Sequence, residues 1–277
     1  RNAMANPLLN EKRLEQAAVA NDSGWAAPDQ STRRGNEGAL NDGPTTPWVP
    51  TGRTMTVAGT ASATAVLFVL LLAAAVVGWL GVDAPDGQVY EFPAYAIGGL
   101  LVGFALAIFL SFKPHLAKFL APVYAIAEGL FVGAISKAYE TYYDGIVVQA
   151  VLATLSVVLV MFLLYVTRIV KVTPKFVLIT IAATGGIMVM YLASWIFAIF
   201  GADITFWNSP TPLGIGISVV ICIVAAMNLA IDFAFIEQSV EAGNTPRRME
   251  WLAALGVTVT IVWLYLEILR LLSLLRR

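Results

Sequence analysis

The chain of 277 residues is 58% hydrophobic and only 13% charged, and its mean hydropathy of +0.77 exceeds what one soluble core needs. The formal net charge of −1 argues against a nucleic-acid partner, because phosphate binding needs clustered Lys and Arg. These values predict an integral membrane protein.

The first part of the chain differs from the rest. Residues 4–55 are rich in Asn, Gly, Pro, Ser and Thr and have little to bury, so they are predicted to form a disordered cytoplasmic tail within a tail region 1–55. Residues 1–3 precede Met4 and are expected to be an expression-vector remnant. Residues 56–277 are predicted to form the transmembrane domain.

Seven apolar segments of about 20 residues or more follow the tail, which is the length that spans a bilayer. Inside lipid every backbone polar group has to be satisfied internally, so each segment is expected to be a helix. The seven spans are predicted at residues 56–81, 93–112, 115–138, 145–167, 175–200, 211–238 and 249–275.

Basic residues are distributed unevenly between the two sides of these spans. Lys137 is the single one in the loops on one side. Arg276 and Arg277 also lie there, against the rule, and leave a re-entrant or incomplete last span as an alternative. The other side is predicted to be cytoplasmic, because its links after spans 2, 4 and 6 contain seven: Lys113, Lys118, Arg168, Lys171, Lys175, Arg247 and Arg248.

Small residues recur at helical spacing within two spans. Gly99 and Gly103 lie four residues apart in span 2, and Gly129 and Gly133 do so in span 3. Such pairs allow close approach of helix backbones, so both are predicted to be packing features.

Few acidic residues lie well inside the spans, away from their ends. They are Glu128 in span 3, Asp232 in span 6 and Glu267 in span 7, with Glu237 near the end of span 6. An ionised carboxylate in a bilayer costs a few kcal/mol, so each is a candidate functional residue. The structural alternative is that each acid is simply neutralised. This would occur by protonation, by Arg270 three residues after Glu267, or by polar neighbours such as Asn228, four residues before Asp232.

The depth of these acids follows from the helical rise of 1.5 Å per residue. Asp232 and Glu128 should both lie about 15–20 Å from the basic ends of their helices, where they could meet, whereas Glu267 lies about 24 Å along its helix. Two adjacent carboxylates in low dielectric share a proton and titrate as a unit. Their deprotonated oxygens suit Ca²⁺. Asp232 and Glu267 are therefore candidates for transient Ca²⁺ contact, and the hypothesis is a proton-gated cation path.

Three segments resemble a known family: "YAIAEGLFVGAIS" at 124–136, "NLAIDFAFIEQ" at 228–238 and "VWLYLEILRLLSLLRR" at 262–277. They are similar to the Bax inhibitor-1 family, also called the transmembrane Bax inhibitor motif family, and most of all to its bacterial YccA-like branch. The resemblance implies two three-helix layers around a central C-terminal helix, in a bacterial inner (plasma) membrane. It also implies a pH-sensitive calcium leak in which Asp232 and Glu267 form the pH-sensing pair, with Glu128 at the family's "EG" position.

The sequence departs from the family pattern at one position, an arginine that acts as a latch on the acid pair. Family members with the described leak have an arginine in the second helix that holds the acid pair, and span 2 has none. Arg270 is the candidate replacement.

Other function classes stay open. One alternative is a non-conducting regulator of a membrane protease or another membrane-protein partner, which would dock through the tail. A proton-coupled secondary transporter is less favoured, because no internal repeat is visible. An enzyme is not expected, since His115 is the only histidine, Cys222 is the only cysteine, and no nucleophile with a base is evident. No cofactor is expected, apart from Ca²⁺ as a permeant ion.

Overall fold

The computed structural model describes residues 54–82, 93–201, 207 and 209–277. The predicted tail, apart from its last two residues, lies outside the described residues, and so does most of the link between the first two spans. The disorder predicted for the tail stays a prediction.

Seven helices, each long and apolar enough to cross a membrane, occupy the described part of the chain. Their bounds agree closely with the predicted spans, which confirms an all-α integral membrane protein. The helices are α1 (Val57–Leu80), α2 (Ala94–Phe112), α3 (Ala117–Tyr142), α4 (Ile146–Val166), α5 (Pro174–Ile199), α6 (Pro212–Glu241) and α7 (Met249–Arg276), with a 3₁₀ turn at Pro114–Leu116.

Threonine side chains mark the starts of three helices. Thr56, Thr173 and Thr211 each accept a hydrogen bond from the backbone N–H three residues later, at the starts of α1, α5 and α6. Pro174 and Pro212 occupy the first helical positions of α5 and α6, where the missing N–H has no intrahelical acceptor to lose. The local sequence therefore fixes where these helices begin.

The helices form two layers around α7. In one layer α1 and α2 both pack against α3, and in the other α4 and α5 both pack against α6. The last helix, α7, contacts α1, α3, α4 and α6. In a hydrophobic stretch of 18 residues within α7, 67% of the residues are buried, against 6% in the corresponding stretch of α5. This confirms the predicted arrangement of two three-helix layers around a central helix. We call the side with the α2–α3, α4–α5 and α6–α7 links the basic end, and the opposite side the far end.

Glycines bring α3 close to its neighbours, as predicted. A Cβ atom on Gly133 would lie 1.9 Å from the carbonyl oxygen of Ala75 in α1, and one on Gly129 would lie 2.4 Å from that of Leu71. A Cβ on Gly99 of α2 would lie 2.5 Å from a backbone oxygen of α3. Larger residues at these positions would force the helices apart.

The last helix is continuous over its 28 residues, so the alternative of a re-entrant or incomplete last span is wrong. Near its end, Arg276 donates from Nη1 to the carbonyl oxygen of Asp144 (2.8 Å) and from Nη2 to Oε1 of Gln149 (2.8 Å). These contacts attach the far end of α7 to the α3–α4 link and to the first turn of α4.

Candidate functional site

Asp232 lies on the side of α6 that faces α7. The Thr260 hydroxyl donates to its Oδ2 over 2.6 Å. Its Oδ1 lies 3.2 Å from where a Cβ atom on Gly256 would be, so the glycine leaves space for the carboxylate. The half-buried acid is thus held against the central helix by one hydroxyl donor.

A cavity of about 360 Å³ adjoins Asp232 between α2, α6 and α7, with room for several water molecules. Ser111, in the last turn of α2, and Leu252, in the first turn of α7, both line it, which places it towards the basic end. Among the described residues, Asp232 is its only charged lining group. Asp232 is therefore the charged group that a cation or proton in this cavity would contact.

Glu128 lies in the middle of α3 and is 7% exposed. Its Oε2 would be 2.6 Å from a Cβ atom on Gly103, so the glycine in α2 makes space for the acid. Gly103 is four residues along α2 from the cavity-lining Ala107, or about 6 Å farther from the basic end. Within the described chain, no hydrogen bond or ion pair reaches the Glu128 carboxylate. It is therefore a buried acid one helical turn beyond the cavity.

Glu267 belongs to a polar network near the far end. Arg270 Nη2 lies 2.8 Å from Glu267 Oε2, which confirms the predicted pair along α7. Tyr191 of α5 donates its hydroxyl to Glu267 Oε1 and accepts a hydrogen bond from Arg270 Nη1 (2.8 Å). Arg270 Nη2 also reaches Ser218 Oγ of α6 (3.3 Å). One intrahelical ion pair thus connects three helices.

The hydrogen bonding of this network is incomplete. Glu267 Oε2 and Arg270 Nε are buried and have no hydrogen-bond partner among the described residues, so the 2.8 Å contact of Oε2 with Arg270 is a charge contact without hydrogen-bond alignment. Unsatisfied buried charged atoms carry a desolvation cost. The pair is therefore held by attraction and packing, and its balance depends on the charge of both members.

Aromatic rings cover the Arg270 guanidinium. Its Cζ lies 4.8 Å from the ring centroid of Trp207 and 5.6 Å from that of Tyr191. Trp207 Nε1 donates to Ser194 Oγ of α5 (2.9 Å), which fixes the indole over the cation. Cation–π attraction of this kind strengthens when water is excluded.

The three acids lie at different depths and do not meet. Asp232 is bonded to Thr260, and Glu267 is seven residues farther along α7, or about 10 Å. In the described part of the chain, no hydrogen bond joins any two of the three acids, and no three His, Cys, Asp or Glu side chains gather as a metal-ligand set. The pairing of Asp232 with Glu267 or with Glu128 is thus absent from this conformation.

A family model described as "Bax inhibitor 1 like" matches residues 6–277, which is nearly the whole chain. The chain belongs to the Bax inhibitor 1 like family. The resemblance carried by its three segments is thereby confirmed, whereas the YccA-like branch stays a prediction. No curated protein and no solved structure matches the chain. The family and the seven apolar helices together make it a multi-pass membrane protein of the Bax inhibitor type.

Asn228 and Glu237, the two other polar residues that the sequence suggested for the site, make no hydrogen bond or ion pair with Asp232, Glu128 or Glu267 among the described residues of this Bax inhibitor 1 like protein. Asn228 donates to Thr184 Oγ1 (2.8 Å) and to the Val224 carbonyl oxygen (2.9 Å) rather than to Asp232. Glu237 pairs with Arg168 at the basic end and accepts the Tyr165 hydroxyl. Asn228 therefore joins α6 to α5, and Glu237 joins α6 to the end of α4.

The most direct contacts of the site involve residues that sequence reasoning missed. Thr260, Tyr191, Ser218 and Trp207 come from three helices and one link. Thr, Ser, Tyr and Trp are common in apolar spans, so the presence of these residue types did not indicate a functional site. Only the rotation and register of packed helices bring them to the acids.

Proposed function

We propose that this Bax inhibitor 1 like protein is a pH-sensitive calcium leak channel, gated by protonation of its intramembrane carboxylates, with its N-terminus and basic end in the cytoplasm. The observation that carries the proposal is Asp232 in its cavity, hydrogen-bonded to the central helix by Thr260. A carboxylate beside a space large enough for water can bind a cation or a proton. A purely structural acid would have no need of that space.

The staggered acids support a path with several weak sites. Asp232 lies nearest the basic end, Glu128 lies about a turn beyond the cavity, and Glu267 lies farther along α7. Ca²⁺ prefers carboxylate and carbonyl oxygens, and conduction requires sites that bind an ion and release it again. Because the acids do not gather, a passing cation would contact one carboxylate at a time.

The latch in this proposal is Arg270 rather than an arginine of α2. Its contacts with Glu267, Tyr191 and Ser218 hold α5, α6 and α7 together at the far end, so the path is closed there. Protonation acts at two places. A neutral Asp232 no longer attracts the cation, and a neutral Glu267 no longer holds Arg270 by charge.

The test is Ca²⁺ flux into dye-loaded liposomes that contain the purified protein, scanned from about pH 5 to 8. Asp232→Asn and Glu267→Gln should each shift or abolish the pH midpoint of the wild-type leak. Glu241→Gln is the matched control, because Glu241 is an exposed acid at the basic end of α6. The proposal fails if folded wild-type protein does not leak at any pH, or if all three variants behave alike.

A second candidate function is a non-conducting regulator that docks a partner through the tail. The junction between the tail and α1 favours it. Met55 donates its backbone N–H to the Thr245 oxygen (2.8 Å). Thr56 donates its N–H and its hydroxyl to Glu250 Oε1, each over 3.0 Å. The last residue of the tail, Met55, thus contacts the link before α7. Under this function, deleting residues 4–50 removes the cellular phenotype and leaves any Ca²⁺ flux unchanged.

A further inference from the structure

An apolar groove of about 570 Å³ opens on the surface of the bundle between α1 and α4. Its floor is formed by α3 and by the central helix α7, whose Tyr265 lies at the base. The volume falls within the range of about 300–1,000 Å³ that is typical of small-molecule sites. Since all four helices are membrane spans, the groove faces lipid rather than water.

The length of the groove matches one leaflet. Along α1 its lining extends from Phe68 to Leu80, or about 18 Å at 1.5 Å per residue. Half of a hydrocarbon core about 30 Å thick is about 15 Å. Leu80 ends α1 at the far end, so the groove covers the depth of the far-end leaflet. An extended acyl chain from that leaflet fits this geometry.

The hydroxyl groups in the lining are satisfied by the protein itself. Ser136 Oγ and the Tyr265 hydroxyl are 2.7 Å apart, and Thr154 Oγ1 donates to the Ala150 carbonyl oxygen over 2.7 Å. These groups therefore make no demand on water or on a polar ligand. The rest of the wall is apolar side chains and one indole, which favours hydrocarbon and disfavours an ion path.

The basic side chain of Lys137 lies at the outer rim of the groove. Lys137 Nζ lies 5.3 Å from the ring centroid of Trp79, and Trp79 lines the groove one residue before the end of α1. Among the described residues, no carboxylate lies within ion-pair distance of Lys137. Interfacial Trp and Lys side chains are groups that meet lipid headgroups, and a Lys with no ion pair to any described residue attracts anionic ones.

We propose that this groove binds one acyl chain of an anionic phospholipid from the far-end leaflet, with the lipid phosphate at Lys137. The site is separate from the acids of the proposed leak and does not depend on it. The bound acyl chain would contact Tyr265, two residues before Glu267. The lipid composition of the membrane could thereby affect the central helix.

The test is native mass spectrometry of the purified, delipidated protein titrated with phosphatidylglycerol or phosphatidylcholine. Val151→Trp fills the groove from α4, where Val151 is one of the lining residues. Leu152→Trp is the matched control, because Leu152 is an exposed neighbour outside the lining. Leu155→Trp is a second groove-filling variant, used if Val151→Trp does not fold.

Wild type and Leu152→Trp should each retain one phosphatidylglycerol, and the groove-filling variants should bind it at least about tenfold more weakly. Lys137→Gln should weaken phosphatidylglycerol binding about fivefold and leave phosphatidylcholine binding unchanged. Equal lipid retention by Leu152→Trp and both groove-filling variants would overturn the proposal. So would equal wild-type affinity for the two lipids. A lipid-free dimer that only the groove-filling variants abolish would instead make the groove an interface between two copies.

Discussion

Thr260→Val tests the hydrogen bond that the central helix makes to Asp232. Valine keeps the shape of threonine and removes only the hydroxyl that donates to Asp232 Oδ2. That donor favours the charged carboxylate, so its loss favours the protonated acid. The pH midpoint of the leak should therefore rise, whichever form of the protein conducts.

The size of the shift follows from the kind of bond that is lost. A hydrogen bond to a charged group contributes about 1.5–3 kcal/mol, and about 1.36 kcal/mol corresponds to one pH unit. The protonated acid can still accept a hydrogen bond, worth about 0.5–1.5 kcal/mol, so only the difference of about 1–1.5 kcal/mol shifts the titration, and the midpoint should move up by about 1 pH unit.

Thr258→Val is the matched control for this substitution. Thr258 is also buried on α7, but its hydroxyl donates to the Ala254 carbonyl oxygen within the same helix. The assay is the liposome Ca²⁺ flux, extended to pH 9, together with infrared detection of the protonated Asp232 carboxyl, which does not depend on conduction. An unchanged midpoint in Thr260→Val, or an equal shift in the control, would show that the Thr260 hydroxyl does not stabilise the charged form of Asp232.

Three further predictions concern stability, measured as thermal or denaturant unfolding of the purified protein. Gly133→Ala should destabilise by about 1–3 kcal/mol, because its Cβ would meet an α1 carbonyl oxygen at 1.9 Å. Gly185→Ala, which meets nothing within 4 Å, should stabilise by up to about 1 kcal/mol; equal effects would contradict the packing. Arg270→Met should cost about 3–5 kcal/mol by leaving Glu267 buried without its ion pair, and adding Glu267→Gln should recover most of it; purely additive losses would disprove the coupling. Glu250→Ala should cost about 1–3 kcal/mol, because the backbone N–H and the hydroxyl of Thr56, at the start of α1, lose their acceptor; an unchanged unfolding midpoint would show that the junction contributes nothing.

Features set by the bilayer or by one helix were predictable from the sequence. The length of the hydrocarbon layer and the need to satisfy backbone groups determine seven helices with bounds close to those observed. The ion pair of Glu267 with Arg270 was predictable because residues three apart share a helix face. The close approach at Gly129 and Gly133 followed from the same periodicity.

Contacts between helices were not predictable. Rise per residue gives a depth, but it does not give the rotation of a helix or its register against a neighbour. Asp232 therefore meets Thr260, whereas the resemblance had implied a pair with Glu267 about 10 Å farther along α7. The Tyr191 contact with Arg270 depends likewise on how α5 packs.

The central position of α7 has a consequence for biosynthesis. Membrane proteins are made from the N-terminus onward, so α1 to α6 enter the bilayer before the helix around which they pack exists. Until then the buried faces of both layers meet lipid or each other, and final packing waits for α7. A ribosome that stops before α7 is made would release six inserted helices without their common core, which is a substrate for membrane quality control rather than a partly active protein.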